Sequence, residues 1–264
     1  MTADPIQHRE HVMGTVVTFD IYPEPDAKDI QLTEMRRQLV RAQAILHRAD
    51  EVFSTWQPDS AVSRMRRGEI TVGEAPDEVA EVLAACATAR ELSDGWFDPW
   101  AMPGGFDPTG YVKGWAAQRA LAALSADCIA GAIVNAAGDI ASSGRQPTGQ
   151  AFRIGIADPA APRQLAEIVE LTGAIATSGS YERAGHLLDP WSGRPATRAA
   201  SASVTGPDLG LADALATAVA VAGEAGLTLV ESLEGYEALV IGFDGTRKWT
   251  RHFPFAGPIV ATGG

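Results

Sequence analysis

The sequence predicts an α+β fold in which helices pack on a largely antiparallel sheet, within one domain spanning residues 1–264. Apolar residues recur at helical spacing in the first half of the chain, whereas β-branched residues cluster into short strands in the second half. No repeat, linker or change of composition separates the two halves, which favours one layered domain. With 264 residues, 46% of them hydrophobic, the chain is long enough to bury a large core.

The predicted elements follow in order along the chain. Residues 1–11 are polar and are expected to form a flexible N-terminal segment. Residues 12–22 are rich in β-branched and aromatic side chains and predict the first strand. Apolar residues at steps of three to five predict a long helix over 28–53, and a second helix over 76–92 begins with a proline. The later elements are a helix over 110–124, strands over 132–134, 152–156, 167–171 and 202–205, a helix over 209–222, and strands over 237–242 and 248–253.

The overall charge limits the classes of partner. The formal net charge is −12, so the chain lacks the cationic surface that nucleic acids and anionic membranes require. Cys86 and Cys128 have no metal-ligand spacing and are expected to be reduced core residues. The N-terminus lacks the features of a secretion signal, and no apolar run is long enough to span a bilayer. The sequence therefore predicts a cytoplasmic protein that binds neither nucleic acid nor membrane.

One apolar run contains two oxygen-bearing side chains at helical spacing. Asp213 and Thr217 lie four residues apart and share one face of the predicted helix. Burial of the Asp213 carboxylate carries a large desolvation cost, and no Lys or Arg lies nearby in sequence to offset it. Bound Mg²⁺ or Ca²⁺ would offset the cost, because these cations prefer oxygen ligands. Alternatively, Asp213 lies near the helix N-terminus, where a carboxylate is favourable, and Thr217 hydrogen-bonds to its own helix.

Other short motifs combine glycine, proline or small polar residues with one chemically active side chain. In chain order they are Met13-Gly14-Thr15, Phe53-Ser54-Thr55-Trp56 with Ser60, Gly95-Trp96-Phe97-Asp98-Pro99, Asp107-Pro108-Thr109-Gly110-Tyr111-Val112-Lys113-Gly114, Asn135-Ala136-Ala137-Gly138-Asp139-Ile140, Ala176-Thr177-Ser178-Gly179 with Tyr181, and His186-Leu187-Leu188-Asp189-Pro190-Trp191-Ser192-Gly193-Arg194-Pro195. Followed by Asp213 and Thr217, this series resembles the ApbE family, the FAD:protein FMN transferases. The resemblance runs from about residue 12 to residue 245, and several motifs in the family's order are far more specific than one.

The resemblance implies both a fold and a reaction. The fold is tunnelling-fold-like, with an antiparallel sheet core, packed helices and a helical cap. The reaction is Mg²⁺-dependent transfer of FMN from FAD to a Thr or Ser hydroxyl of an acceptor protein that carries a flavinylation motif, with release of AMP. Such a transfer requires neutralised phosphate charges and an oriented hydroxyl nucleophile, with little covalent protein chemistry. Mg²⁺ at the pyrophosphate oxygens would supply the neutralisation.

The resemblance also assigns candidate residues. Asp213 and Thr217 are implied as side-chain ligands of the cation, with the backbone carbonyl of Gly110 as a third ligand. Glycine suits that role because it lets the backbone approach an ion without a Cβ. His186 is implied as the base that deprotonates the acceptor hydroxyl, with Asp189 as the alternative. The implied contacts to FAD are Met13, Ser54, Thr55, Trp56, Asp98, Lys113, Ser178 and Tyr181.

Several of these residues also have a plain structural explanation. Asp189 precedes Pro190 and a Ser-Gly pair, a pattern typical of a hairpin loop with a capping aspartate. Lys113 follows a glycine turn, where a lysine is commonly a solvated residue at a helix start. Arg66 replaces a small polar group of the family, and it either alters FAD affinity or points to solvent. These alternatives remain open at the level of sequence.

Three functions are therefore compatible with the sequence. The first is the FMN transferase, with FAD and an acceptor protein as its partners. The second is an FAD pyrophosphatase, in which water replaces the acceptor hydroxyl and the products are FMN and AMP. The third is a non-catalytic FAD-binding protein. A Rossmann dinucleotide site is excluded, because the glycine segment at Asn135–Asp139 lacks the GxGxxG pattern and is not followed by a helical pattern.

Overall fold

The structure of this chain is a computed structural model that describes residues 5–179 and 187–257. It confirms the predicted α+β class, with a large antiparallel sheet and helices packed on it. The helices are α1 (Asp29–Phe53), α2 (Ala61–Arg66), α3 (Asp77–Leu92), α4 (Thr109–Ala122), α5 (Leu209–Ala222) and α6 (Glu224–Glu231). The strands are β1 (Ile6–Val12), β2 (Thr15–Pro23), β3 (Ile129–Ala136), β4 (Asp139–Gly144), β5 (Phe152–Asp158), β6 (Ala161–Leu171), β7 (Ala174–Gly179), β8 (Ser201–Gly206), β9 (Glu237–Ile241) and β10 (Arg247–Trp249).

Eight strands form one sheet in the order β1-β2-β3-β4-β7-β8-β9-β10, and every neighbouring pair is antiparallel. Strands β5 and β6 leave this sheet and pair with each other as a two-stranded ribbon. After β6 the chain returns to the large sheet, where β7 pairs with β4. The strands β4 and β7 are thus neighbours although β5 and β6 separate them in sequence.

The two faces of the large sheet carry different layers, as the alternation of side chains along a strand requires. On one face, Ala202 and Val204 of β8 share a core with helices α1, α3, α4 and α5. On the opposite face, Ile140 and Ile175 pack in a smaller core with side chains of β5 and β6. Helix α5 is buried around nearly its whole circumference, which explains why its sequence is almost entirely Ala, Leu and Val.

The N-terminal segment differs from the prediction. Residues 1–11 are not a flexible segment as a whole, because residues 6–12 form β1 and pair with β2. Met13 and Gly14 both have positive φ, as a two-residue hairpin turn requires. Side chains anchor β1 to α1, since Gln43 Nε2 donates to Glu10 at 2.6 Å. The predicted first strand over 12–22 therefore contains the end of one strand, a turn and most of the next.

The last strand also differs from the prediction of 248–253, because β10 ends at Trp249. Thr250 is fully buried and its Oγ1 accepts a hydrogen bond from the Ala238 backbone at 2.8 Å, which takes the chain out of the strand. Within the described residues, no helix has the length and apolar character needed to cross a bilayer.

Two glycines allow α4 and α5 to cross closely. A Cβ on Gly114 would lie 2.4 Å from the Leu209 carbonyl oxygen, and a Cβ on Gly210 would lie 2.9 Å from the Tyr111 ring. Both distances are too short for a methyl group. This crossing matters for the site, because α4 and α5 carry Gly110, Lys113, Asp213 and Thr217.

We expect Gly114→Ala to lower the free energy of unfolding by about 1–3 kcal/mol, since overpacking against backbone outweighs the gain of roughly 1 kcal/mol in helix propensity. Urea denaturation monitored by circular dichroism measures the change. Gly73→Ala is the control, because no atom lies within 4 Å of its added Cβ. A Gly114→Ala protein as stable as the wild type would show that the helices do not approach this closely.

Candidate active site

The predicted metal and phosphate residues meet at one end of the large sheet. The turns Met13–Gly14 and Ala137–Gly138 lie at this end, because β2 pairs with β3 from Val17↔Ala136 onward. Strand β4 begins here and β7 ends here, beside the helices α4 and α5. Four elements that are distant in sequence therefore supply the side chains of the site.

Asp213 is the most unusual group at this end. It is 4% exposed, and its Oδ2 has no hydrogen-bond partner among the described residues. Burial raises the pKa of Asp213, the negative charge of Asp139 raises it further, and the positive charge of Lys113 opposes both effects. The backbone N–H of Gly114 donates to the Asp213 carboxyl group. An unpartnered carboxylate oxygen at this depth is costly unless a ligand completes it.

The alternative explanation from the sequence was that Asp213 lies near the helix N-terminus, and Asp213 is the fifth residue of α5. The residue that caps α5 is Asp208, whose Oδ1 accepts a hydrogen bond from Leu211 N at 2.7 Å. Asp213 lies one turn further along and cannot serve as that cap. Thr217 Oγ1 lies 3.1 Å from Ser178 Oγ of β7, so its hydroxyl turns toward the end of the sheet.

Gly110 lies beside Thr217, as the predicted ligand group requires. A Cβ on Gly110 would be 3.5 Å from Thr217 Oγ1 and 3.3 Å from the Phe97 ring. Asp107 fixes the preceding turn, because its Oδ1 accepts hydrogen bonds from Thr109 N at 3.0 Å and Thr109 Oγ1 at 2.7 Å. Thr109 is thus held at the start of α4 by two hydrogen bonds to one carboxylate oxygen.

These residues fit a hard divalent cation. Asp213 supplies an unpartnered carboxylate oxygen, Thr217 a hydroxyl, and Gly110 a backbone segment without a Cβ beside that hydroxyl. Across 5–179 and 187–257, no three His, Cys, Asp or Glu side chains are arranged to hold a metal by themselves. A cation here would therefore need backbone, hydroxyl, substrate or water oxygens to complete its coordination. Mg²⁺ is commonly bound in this way, through few carboxylates plus substrate phosphates.

Asp139 is a buried carboxylate among these residues that the sequence analysis did not select as a candidate. It is fully buried at the start of β4, where its Oδ2 accepts a hydrogen bond from Lys113 Nζ. Its Oδ1 accepts a hydrogen bond from Thr177 N of β7 at 3.2 Å. The signal in the sequence was an aspartate placed directly between the Ala137–Gly138 turn and the buried residues of a strand. Lys113 is accordingly a partly buried member of the site and not a solvated helix-start residue.

The predicted base falls partly outside the described residues. Tyr181 and His186 lie in the stretch 180–186, which the structure does not describe. Asp189 lies in a hairpin in which Ala196 N donates to Leu187 O at 2.8 Å. Its Oδ1 accepts hydrogen bonds from Trp191 N at 3.0 Å and Ser192 N at 3.2 Å. Asp189 therefore caps this turn, and its role as a base remains a prediction.

Asp98 lines a groove of about 430 Å³ together with Trp191 of this hairpin. Its two oxygens accept hydrogen bonds from Arg90 Nε at 2.6 Å and Trp100 N at 2.9 Å. Phe97, the residue before Asp98, packs beside Gly110, because a Cβ on Gly110 would lie 3.3 Å from its ring.

The Ser54 segment forms a turn at the end of α1. Ser54 Oγ accepts hydrogen bonds from Trp56 N at 3.3 Å and Gln57 N at 3.2 Å, while the Trp56 side chain is 87% exposed. Thr55 is half-buried. Ser54, Thr55 and Trp56 thus remain candidate FAD contacts. Among the described residues, the hydrogen bonds of Ser54 are to residues of α1, of its own turn and of α2, and not to α4 or α5.

Arg66 does not point freely to solvent. Its guanidinium donates to the carbonyl oxygens of Pro103 at 2.5 Å and Gly104 at 2.9 Å, and it lies 3.9 Å from the Asp107 carboxylate. Arg66 therefore ties α2 to the loop that leads into α4.

Known proteins of one family match this chain in sequence. The family model described as "ApbE family" matches residues 13–104 and 101–240. A FAD:protein FMN transferase of Rhodobacter capsulatus is 33% identical over 139 residues, which are 49% of this chain and 26% of that protein. A FAD:protein FMN transferase of Vibrio cholerae is 35% identical over 124 residues, which are 43% of this chain and 37% of that protein. The chain aligns with less than half of the length of each of these relatives.

Solved structures share the fold over nearly the whole chain. The apo form of the flavinyl transferase ApbE of Pseudomonas stutzeri is 26% identical, with a TM-score of 0.74 over 95% of this chain and 97% of that one. The ApbE protein of Thermotoga maritima is 23% identical, with a TM-score of 0.79 over 94% of this chain and 97% of that one. Since the family model spans most of the sequence and the fold matches throughout, the chain belongs to the ApbE family.

Proposed function

We propose that this chain transfers FMN from FAD to a Thr or Ser hydroxyl of an acceptor protein, releases AMP, and uses Mg²⁺ to do so. The observation that carries the proposal is the unpartnered, buried Asp213 oxygen on the same helix face as Thr217, next to Gly110. Membership of the ApbE family supports it, because the curated relatives are named FAD:protein FMN transferase.

The residues of the site match the charge requirements of pyrophosphate cleavage. Asp213, Thr217 and the Gly110 carbonyl would hold Mg²⁺, which when bound neutralises negative charge on phosphate oxygens. Lys113 adds a fixed positive charge beside Asp139. Burial and the negative charge of Asp139 raise the pKa of Asp213, so its charged form is disfavoured until a cation binds. A bound cation would favour the carboxylate and would offset the negative charge that the pyrophosphate of FAD brings to the site.

The chain's own residues then orient and deprotonate the acceptor. We propose His186 as the group that takes the proton from the acceptor hydroxyl as this oxygen bonds to the FMN-side phosphorus and AMP leaves. Asp189 is the alternative, and its carboxylate is already engaged in the turn of its hairpin. The groove beside Asp98 and Trp191 gives FAD a further surface at this side of the molecule.

The proposal is tested by incubating the purified chain with FAD and Mg²⁺, with and without a peptide that carries a Thr flavinylation motif. AMP release that depends on the peptide, together with flavin fluorescence that stays on the denatured peptide, would support the transferase. AMP and free FMN without peptide labelling would assign an FAD pyrophosphatase. FAD binding without AMP in either reaction would assign a non-catalytic FAD-binding protein.

We predict that the chain does not flavinylate itself at Thr177. This residue lies within β7, its N–H donates to Asp139, and its Oγ1 lies 2.8 Å from Ser203 Oγ of β8. Pairing on both sides holds the hydroxyl away from an external path of attack. Intact-mass measurement after incubation with FAD and Mg²⁺ should therefore show no added FMN. A stable gain of one FMN that Thr177→Val removes would contradict the prediction.

A further inference from the structure

An ion pair lies directly beside the carboxylate proposed to bind the cation. Asp139 is fully buried, and Lys113 reaches it from α4 with a side chain that is 30% exposed. Both charges act on Asp213, the carboxylate raising its pKa and the ammonium lowering it. Three ionisable groups from α4, β4 and α5 therefore act on one another, two of them buried carboxyl groups.

The position of the Lys113 ammonium decides whether Asp213 is available. An ammonium in contact with Asp213 would supply the missing partner of its Oδ2 and compete directly with a divalent cation. Such pairing is strongly favoured at low local dielectric, where an unpaired charge is costly. In the structure the ammonium donates to Asp139, and Oδ2 of Asp213 has no hydrogen-bond partner within the described residues.

Asp139 is held in place by the sheet and not by the helices. It is the first residue of β4, it follows the Ala137–Gly138 turn, and the backbone N–H of Thr177 donates to its second oxygen. Its carboxylate is therefore a fixed acceptor for a long, flexible lysine side chain. Asparagine at this position could still accept from Thr177 but would carry no charge to hold the ammonium.

We propose that Asp139 is a positioning residue that retains the Lys113 ammonium and thereby keeps the Asp213 carboxylate free for a divalent cation. This inference rests on the proposed function, because it takes Asp213 to be the cation ligand. It assigns Asp139 no contact with the cation or with FAD. Asp139 also hydrogen-bonds directly to the Asp213 carboxyl group. The proposed effect passes through Lys113, so removal of Lys113 must cancel it, whereas an effect of the direct contact would persist without Lys113.

Binding of Mn²⁺ to the FAD-free protein, followed by electron paramagnetic resonance, tests the proposal without reference to turnover. We expect Asp139→Asn to weaken Mn²⁺ binding by about 10- to 100-fold, the usual effect of losing a residue that supports a metal ligand. We expect Lys113→Met to bind Mn²⁺ at least as tightly as the wild type. The double variant Lys113→Met/Asp139→Asn should regain most of the affinity lost in Asp139→Asn.

If the double variant regains Mn²⁺ affinity, the loss in Asp139→Asn came from the released Lys113 ammonium and not from damage to the fold. Circular dichroism of each metal-free variant shows whether it is folded. If Asp139→Asn does not fold, the double variant is compared with Lys113→Met, and comparable Mn²⁺ affinity is expected. Unchanged Mn²⁺ binding in folded Asp139→Asn, or a double variant as weak as Asp139→Asn, would overturn the inference.

The variant Asp213→Ala shows whether a negative result concerns the role of Asp139 alone or the proposed function as well. If Asp213→Ala abolishes Mn²⁺ binding while Asp139→Asn retains it, the cation site stands and the inference falls. If Asp213→Ala binds Mn²⁺ like the wild type, or if the wild type binds none, both are wrong.

Discussion

Replacing Asp213 with alanine is expected to abolish AMP release from FAD while leaving the chain folded. The carboxylate is buried, one of its oxygens lacks a partner among the described residues, and its burial raises its pKa. Removing such a group relieves a desolvation cost, so the stability of the protein should change little. Turnover should fall by a factor of at least about 10³, because the cation proposed to bind Asp213 would neutralise the pyrophosphate charge.

The control for this variant lies on the same helix. Asp208→Ala removes the N-cap of α5 and is expected to cost about 1 kcal/mol in unfolding free energy with little change in turnover. Thr217→Val should reduce turnover less than Asp213→Ala, because a neutral hydroxyl contributes less to cation binding than a carboxylate. AMP release is measured at saturating Mg²⁺ for all three proteins. Near-wild-type AMP release by Asp213→Ala would show that the metal assignment is wrong.

Replacing His186 with alanine is expected to lower the rate at saturating FAD by about 10²- to 10⁴-fold, the usual contribution of a general base. FAD binding should change little, because the proposed role concerns the acceptor hydroxyl alone. Single-turnover transfer to an acceptor peptide measures the rate, and FAD titration measures the binding. The pH–rate profile of the variant should lose the limb that reports deprotonation of the base.

Asp189→Asn is the matched comparison for His186→Ala. Asparagine keeps the side-chain oxygen that accepts hydrogen bonds from Trp191 N and Ser192 N, so the hairpin should persist while the charge is lost. We expect this variant to retain most of the rate. A large loss in Asp189→Asn, together with an unchanged pH–rate profile in His186→Ala, would transfer the role of base to Asp189.

The helices were predictable wherever the apolar period was long. The periodicity over 28–53 corresponds to α1, which turns its apolar residues to the core over several turns. The long apolar run over 209–222 corresponds to α5, which is buried on nearly all sides. Short elements contain too few residues for an apolar period to identify them. Strand β1 alternates between half-buried and exposed residues, and its charged side chains resemble those of a loop. Helix α2 has only six residues, with Ser60 as its N-cap.

Part of the site was visible in local sequence and part was not. Asp213 and Thr217 are four residues apart on one helix, so their common face follows from helical geometry alone. The contact between Lys113 and Asp139 spans 26 residues and depends on the placement of α4 on the sheet. The contact between Ser178 and Thr217 spans 39 residues and depends on the packing of α5 against β7. No local periodicity encodes such tertiary contacts.

The β5–β6 hairpin is inserted in sequence between β4 and β7, which are neighbours in the large sheet. This insertion affects the order in which the chain folds. The hydrogen bond from Thr177 to Asp139 closes a segment of 38 residues, and closure of such a segment costs conformational entropy before its contacts form. A nascent chain therefore acquires the site only after β7 has docked beside β4 and α5 has followed. Changes in the length of the β5–β6 hairpin would accordingly alter the speed of assembly more than the chemistry of the assembled protein.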